Sequence, residues 1–448
     1  MGILLKALSV FHRDSHLSPE LRHQITQVTS SKRPECRSLS SLNNFIRNGR
    51  HDLQRLDQRS IAQIDHETTA AVKNPLDPTE LNTAIDKVHR AGMPGVFAEV
   101  RDGDQVWRGA AGVADVSTGR PVTPDMRHRV GSITKTFTAA AVLQQVESGQ
   151  IGLDTPIGHY LPQLVPGERG NAITVRMLIN HTSGLAEYLP YAYLSLKAFP
   201  RLSDTTPKSL DDHRFTRFHR TELIGMGVRA PAVGAPGGTP GIYSNTNYQL
   251  LCQLLEHVTG TTAEDCITQN VIERAGLRDT ELPDGPHVSE PHSQMYEAWF
   301  GMIEPPRDYS IYDMSWVGPA ASLISTVADL NRFYGLLLAG EIVNRSSLAE
   351  MQRTVPVISQ EGKKITYGLG LHKMEVPGHD TFWGHDGTVW GAGAMSMTRA
   401  DGKRQMSVAV NLMRWNKLDS SGKPQHHPID DALPAFYQLA MCGSGNAL

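Results

Sequence analysis

From residue 78 onward the hydrophobic positions fall into helical and strand-like runs, and their order sketches a fold. Pro78-Thr79-Glu80-Leu81 opens a helix, with proline early and an acid in the first turn, running through Ile85, Val88 and His89 to Gly92. Strand-like runs at 95–100 and 105–113 flank Asp102-Gly103-Asp104, a hairpin signal. An Ala-, Leu- and Gln-rich helix begins just after Gly131-Ser132, and a loop covers 149–161. A short helix at 174–178 ends at Asn180-His181-Thr182-Ser183-Gly184-Leu185, and 186–240 is rich in turns without a readable period. Helices are expected at 246–258, 263–275 and 325–339. The last of these starts at Ser325 or Thr326, with Leu330, Phe333, Leu336 and Leu337 inward. The alternating pattern returns at 366–372, 381–384, 393–398 and 405–412, with Ala400-Asp401-Gly402-Lys403 turning the last pair, and a helix over 429–441 follows. Strands at both ends with helices between them predict an α+β protein, an antiparallel sheet built from both chain ends with an inserted, mostly helical region.

Residues 1–76 read differently. Basic residues recur among Ser, Gln and Asn, and short helical pieces at 17–28 and 39–46 lack a wide apolar face. This stretch is expected to be a partly disordered extension, with the compact domain over 77–448.

Composition narrows the function without naming it. The 448 residues are 40% hydrophobic and 20% charged with a net charge of −3, which fits a globular chain and gives no reason to expect nucleic acid or an anionic membrane as partner. The four cysteines are scattered with no metal-ligand spacing, and no apolar run is long enough to cross a membrane. His12, Arg13 and Asp14 interrupt the apolar start before it makes a signal-peptide core, so no export signal is readable and the compartment stays open, with the cytoplasm slightly favoured.

Three stretches carry candidate chemistry. Ser132 stands at the mouth of a helix and Lys135 lies three residues on, so the amine shares a helical face with the hydroxyl. A serine becomes a nucleophile when a neighbour takes its proton, and a buried lysine can do so. A capping serine and a solvated lysine are the plainer explanation of that pair alone. Tyr243-Ser244-Asn245 follows a Gly/Pro-rich loop; a tyrosinate near a lysine can act as base, and an Asn amide can hold a carbonyl, although a buried Tyr and a helix cap would look the same. Trp383-Gly384-His385-Asp386-Gly387-Thr388 joins two strands, and its glycines allow close backbone approach.

Taken together, Ser132/Lys135, Tyr243/Asn245 and His385/Gly387 resemble the penicillin-recognising serine enzymes. The likeness is to the branch of class C β-lactamases, D-alanyl-D-alanine carboxypeptidases, esterases and D-aminopeptidases, and is closest to the secreted actinobacterial-type carboxypeptidases. Residues 178–185, 324–330 and 367–371 also look like that family's recurring segments, and the resemblance covers about 78–442. It implies a β-lactamase/transpeptidase-like fold in which Ser132 forms an acyl-enzyme on an amide or ester. Lys135 and Tyr243 would move protons, Asn245 would position the acyl side, and His385 would tune the proton network. Backbone N–H groups of Ser132 and of the strand after Gly387 would hold the oxyanion, and neither metal nor organic cofactor is needed.

The match departs where such carboxypeptidases bind a terminal carboxylate. Asp386 and His372 stand where hydroxyl and arginine anchors are expected; Thr388 remains, and Lys373 is a candidate substitute. These differences favour an esterase, amidase or D-aminopeptidase, with Asp386 welcoming an amine. Trp316 and Tyr188 are expected to line the pocket. The expected partner is a small-molecule or peptide substrate, β-lactams among the candidates. Acyl transfer or cyclisation in place of hydrolysis, and a non-catalytic binder of the same fold, stay open.

Overall fold

The computed structural model describes residues 76–198, 201–376 and 381–443. The expected extension, with its helices at 17–28 and 39–46, lies outside the described residues apart from Leu76.

The domain is organised on a ten-stranded sheet. Its strands are β1 (Gly95–Asp102), β2 (Gln105–Asp115), β3 (Arg120–Pro121), β4 (Gly241–Ile242), β5 (Val355–Ile358), β6 (Lys364–Tyr367), β7 (His372–Glu375), β8 (Thr381–Thr388), β9 (Gly393–Arg399) and β10 (Arg404–Val410). They lie in the order β3-β2-β1-β10-β9-β8-β7-β6-β5-β4. The two ends of the domain meet at the β1–β10 pair, in register from Val96 opposite Val410 to Asp102 opposite Arg404. All pairs are antiparallel except β4 with β5. This is the antiparallel sheet from both chain ends that the sequence predicts.

Helices cover both faces, which explains why β1 is buried at six consecutive residues rather than at alternate ones. On one side lie α1 (Pro78–Arg90) and the closing helix Ile429–Cys442, sharing a core in which Leu81, Ile85 and Val88 meet Trp107, Leu433 and Phe436. The Asp77 carboxylate caps α1, accepting from the N–H groups of Thr79 at 2.8 Å and Glu80 at 3.1 Å. On the other side lies the helix Val327–Ala339, capped by Thr326 rather than Ser325, which ends a short strand. Leu330, Phe333 and Leu337 are buried there, and Leu336 is only partly so.

The helix Thr134–Glu147 is buried over its first ten residues, the mark of a helix surrounded by protein. Phe137 on it stacks on Phe333 at 3.7 Å between ring centroids. Its first turn carries Lys135, and Ser132 lies in the 3₁₀ turn that leads into it.

Several sequence expectations need correction. Residues 366–372 are not one strand: β6 and β7 are separate, turned by Gly368–Leu371, where Gly370 has φ +74° and the Gly368 N–H donates to the Leu371 carbonyl at 2.8 Å. Strand β8 extends to Thr388, so His385, Asp386 and Gly387 lie inside a strand; Gly384 and Gly387 conceal it by breaking the side-chain alternation. The expected helix at 263–275 is α-helical only over Ala263–Ile267 and then widens to a π-turn over Thr268–Glu273. The loop at 149–161 includes a helical turn at Ile157–Tyr160.

Because Phe333 joins the buried Thr134–Glu147 helix to the helix Val327–Ala339 under the sheet, Phe333→Ala should destabilise the domain by about 3–5 kcal/mol. Urea denaturation measures this, and a loss under about 1 kcal/mol would mean that the stack is not part of the core.

Candidate active site

Ser132 occupies a 3₁₀ turn, Gly131–Ile133, leading into the buried helix. Gly131 has φ +55°, and a Cβ there would fall 2.4 Å from the Thr388 nitrogen. A Cβ on Gly387 would fall 2.0 Å from the Val130 carbonyl oxygen and 2.5 Å from the Ser132 nitrogen. Only glycine at both places lets β8 run directly against the serine turn. The backbone segments carrying the Ser132 and Thr388 nitrogens are thereby brought into close approach, as a shared oxyanion cradle would require.

Lys135 is the electrostatic centre. Its side chain is 0% exposed, and its Nζ lies 3.0 Å from Ser132 Oγ, 2.7 Å from Asn245 Oδ1 and 2.9 Å from the Ala320 carbonyl oxygen. Burial lowers its pKa to about 7, although the Glu187 and Asp386 carboxylates pull it upward. A neutral amine has two N–H donors and one lone pair. The Ala320 carbonyl and the Asn245 oxygen, in the amide orientation assigned from this network, take the two donors. That leaves the lone pair to accept the Ser132 proton.

Tyr243 is packed beside this pair, with Lys135 Nζ 5.0 Å from its ring centroid. Its hydroxyl feels the Ser132 hydroxyl but closes no hydrogen bond of good geometry, and burial pushes its pKa well above the usual phenol value. In the free protein it is therefore a phenol, and Lys135 is the group able to be a base near neutral pH. Asn245 opens the helix Asn245–Thr259 rather than preceding it. His385 is buried, with Nε2 2.9 Å from the Tyr367 hydroxyl and Nδ1 2.5 Å from the Asp386 carbonyl oxygen, so it reaches Lys135 only through space.

The remaining expected residues divide. Asp386 is 47% exposed and His372 Nδ1 lies 3.1 Å from its Oδ1. Lys373 is paired with Glu375 at 2.6 Å, so neither His372 nor Lys373 is a free carboxylate anchor. Gly387 is buried against the serine turn and Thr388 is exposed at the strand end. Trp316 stacks on Trp390 at 5.0 Å. Tyr188 does not line a pocket: it has no exposed surface, and its hydroxyl donates to the Trp316 carbonyl at 2.5 Å, holding the tryptophan from behind.

Two residues escape sequence reasoning. Glu187 is half-buried, accepting from the N–H groups of Asn245 at 2.6 Å and Leu189 at 3.0 Å and from the Gln360 amide at 3.1 Å; loss of solvent raises its pKa against those bonds. It places a carboxyl at the N-terminus of the helix that carries Asn245, where the helix dipole favours negative charge. His181 has φ +63°, and its ring stacks on Tyr243 at 4.0 Å. Its Nδ1 accepts from the Ser244 N–H at 3.2 Å, and burial pushes its pKa well below the usual value, so the ring braces Tyr243 in the neutral form. The only signal for either was the motif at 178–185 and the turn-rich stretch after it. His372, His385 and Asp386 are also the group, among the described residues, whose donor atoms gather closely enough to hold a metal ion.

Comparison with known proteins follows this geometry. The family profile described as Beta-lactamase matches residues 81–429. A D-aminopeptidase of Cereibacter sphaeroides is 26% identical over 338 residues, 75% of this chain and 60% of that protein, so the chain spans about three-fifths of this relative's length. Esterase EstB of Burkholderia gladioli is 30% identical over 224 residues, 47% of this chain and 55% of the esterase. The crystal structure of a D-stereospecific amidohydrolase from Streptomyces sp. superposes with a TM-score of 0.69 at 31% identity, covering 83% of this chain and 100% of that one.

In ¹⁵N-lysine spectra the Lys135 amine should titrate with a midpoint of about 7, whereas solvated lysines titrate near ~10.4. A Lys135 midpoint above about 9 would mean that water reaches the amine.

Proposed function

The chain belongs to the Beta-lactamase family, and on that footing we propose that it is a serine hydrolase forming an acyl-enzyme on Ser132, with amides of D-amino acids or peptides bearing a free amine as its preferred substrates. The observation carrying this reading is the Lys135 amine, 3.0 Å from the Ser132 hydroxyl and poised near neutrality. Ser132 Oγ attacks the carbonyl carbon as its proton passes to Lys135 Nζ. The carbonyl oxygen gains negative charge against the Ser132 and Thr388 N–H groups. Collapse expels the leaving group, which takes the proton back from Lys135 directly or through the Tyr243 hydroxyl. Water then attacks the ester carbon as its proton passes to Lys135 Nζ; collapse breaks the bond to Ser132 Oγ, which takes that proton from Lys135, and the acid product leaves with the free serine restored.

The preference for an amine rests on charge. Asp386 and Glu187 both act on Lys135 through space, so two carboxylates contribute negative potential at the site. A terminal carboxylate would meet repulsion from Asp386, while both basic side chains of β7 are already engaged. An ammonium group would be attracted. The D-aminopeptidase and D-stereospecific amidohydrolase among the relatives support this reading. Esterase EstB supports a second, in which an ester without an amine is turned over by the same acyl-enzyme. β-Lactams remain candidate acylating substrates of the same serine.

Ser132→Ala should lower turnover of any substrate by at least about 10⁴-fold. Intact-protein mass after incubation with a penicillin or an activated ester should show an adduct on the wild type alone, and a variant that still forms one would disprove the nucleophile.

For wild type, kcat/KM on a D-amino-acid anilide should exceed that on its N-acetyl derivative by about 10–100-fold, the worth of a charged hydrogen bond. Equal rates would remove the amine preference and leave the esterase reading.

A further inference from the structure

We infer that His372, His385 and Asp386 form a binding site for a divalent transition-metal ion of the zinc class. One ligating atom from each lies within 4.8 Å of the other two. The two imidazole rings face each other at 4.2 Å and 30°, with the His372 and His385 Nδ1 atoms 3.1 Å and 3.8 Å from the same oxygen, Asp386 Oδ1. The approach of His372 to that oxygen is coulombic rather than a directed hydrogen bond. Three potential ligand atoms thus converge on a common region, where an ion would take the place of the charge contact between His372 and Asp386. Two imidazoles and a carboxylate suit zinc, and three protein ligands leave a position for water.

The proton positions are compatible with ligation. Without an ion, the Asp386 carboxylate favours the proton on His372 Nδ1; an ion bound at Nδ1 would shift that proton to Nε2, which has no competing hydrogen-bond partner. For His385, Nδ1–H donates to the Asp386 carbonyl in one tautomer. In the other, Nε2–H donates to the Tyr367 hydroxyl and Nδ1 bears the lone pair. That second form is the usual support of a metal-bound histidine, whose far N–H is held by an oxygen acceptor. Moving the proton from Nδ1 to Nε2 releases none to solvent, and it leaves the Asp386 carbonyl oxygen as one more donor at the same place. The half-exposed Asp386 gives an ion a path from solvent.

An ion held there neutralises Asp386, whose charge acts on Lys135, so it should also inhibit turnover reversibly. Binding itself is independent of the hydrolase reading and is measured without substrate. The untagged full chain, stripped with EDTA and desalted, is titrated with CoCl₂ by visible absorption and with ZnCl₂ by calorimetry. We expect one ion per chain in wild type and equally in Ser132→Ala, and at least about tenfold weaker binding in Asp386→Asn and in His372→Gln. Saturable binding that both ligand variants retain, binding lost in Ser132→Ala, or no saturable binding in wild type would each overturn the site. Zinc inhibition that persists in Asp386→Asn would do so as well. Loss of turnover in Ser132→Ala with cobalt binding intact would uphold both conclusions separately.

Discussion

A lysine amine kept out of water is the constraint on which the rest of this structure depends. Removing an ammonium from solvent is so unfavourable that the group gives up its proton instead. Here that displacement stops near neutrality, where the amine is useful as a base. The balance needs several parts of the chain at once. The Thr134–Glu147 helix supplies burial, Asn245 and the Ala320 carbonyl take the N–H donors, and Glu187 with Asp386 keeps the shift from going further. None of these groups is close to the others in sequence. The fold holds them in one place.

The sheet contributes the other half. Strand β8 lies against the serine turn only because Gly131 and Gly387 leave no side chain between two backbones. Any larger residue at either position would push the strand away by more than an ångström and separate the two nitrogens beside the serine. Behind this contact, Tyr188 and the Trp316–Trp390 stack fill the wall, and His181 braces Tyr243. Much of the buried aromatic surface therefore serves to fix the geometry of a few small residues.

What the sequence disclosed and concealed follows from the range of each interaction. Helical and alternating periods are local, so the two ends of the sheet and its main helices were legible, as was the Ser132–Lys135 pair on one helical face. Strand β8 was cut short because Gly384 and Gly387 hide its alternation, and the 366–372 run concealed a turn because Tyr367, Leu369 and Leu371 alternate with glycines through it. Glu187 could not be seen as part of the site: its partner Asn245 is 58 residues away, in a stretch with no period to read. Tyr188 looked like a pocket residue because sequence gives the residue type but not the direction in which a hydroxyl points. His372 and Asp386 were read separately against a carboxylate ligand, whereas in the fold they face each other.

The pairing of β1 with β10 and the seating of β8 on the serine turn also order the life of the chain in time. Gly131 leaves the ribosome about 250 residues before Gly387. At ordinary synthesis rates that interval is roughly 10–50 s. During it the nucleophile's helix exists without the strand that would flank it. Local helices can form at once, but the sheet must wait for its last strands, and such distant pairings close slowly. A nascent chain therefore carries the serine and lysine with the lysine still wet, protonated and inert. With Ser132 in the role proposed above, reactivity would arrive only with completion of the fold, sparing the unfinished chain and its surroundings a loose nucleophile.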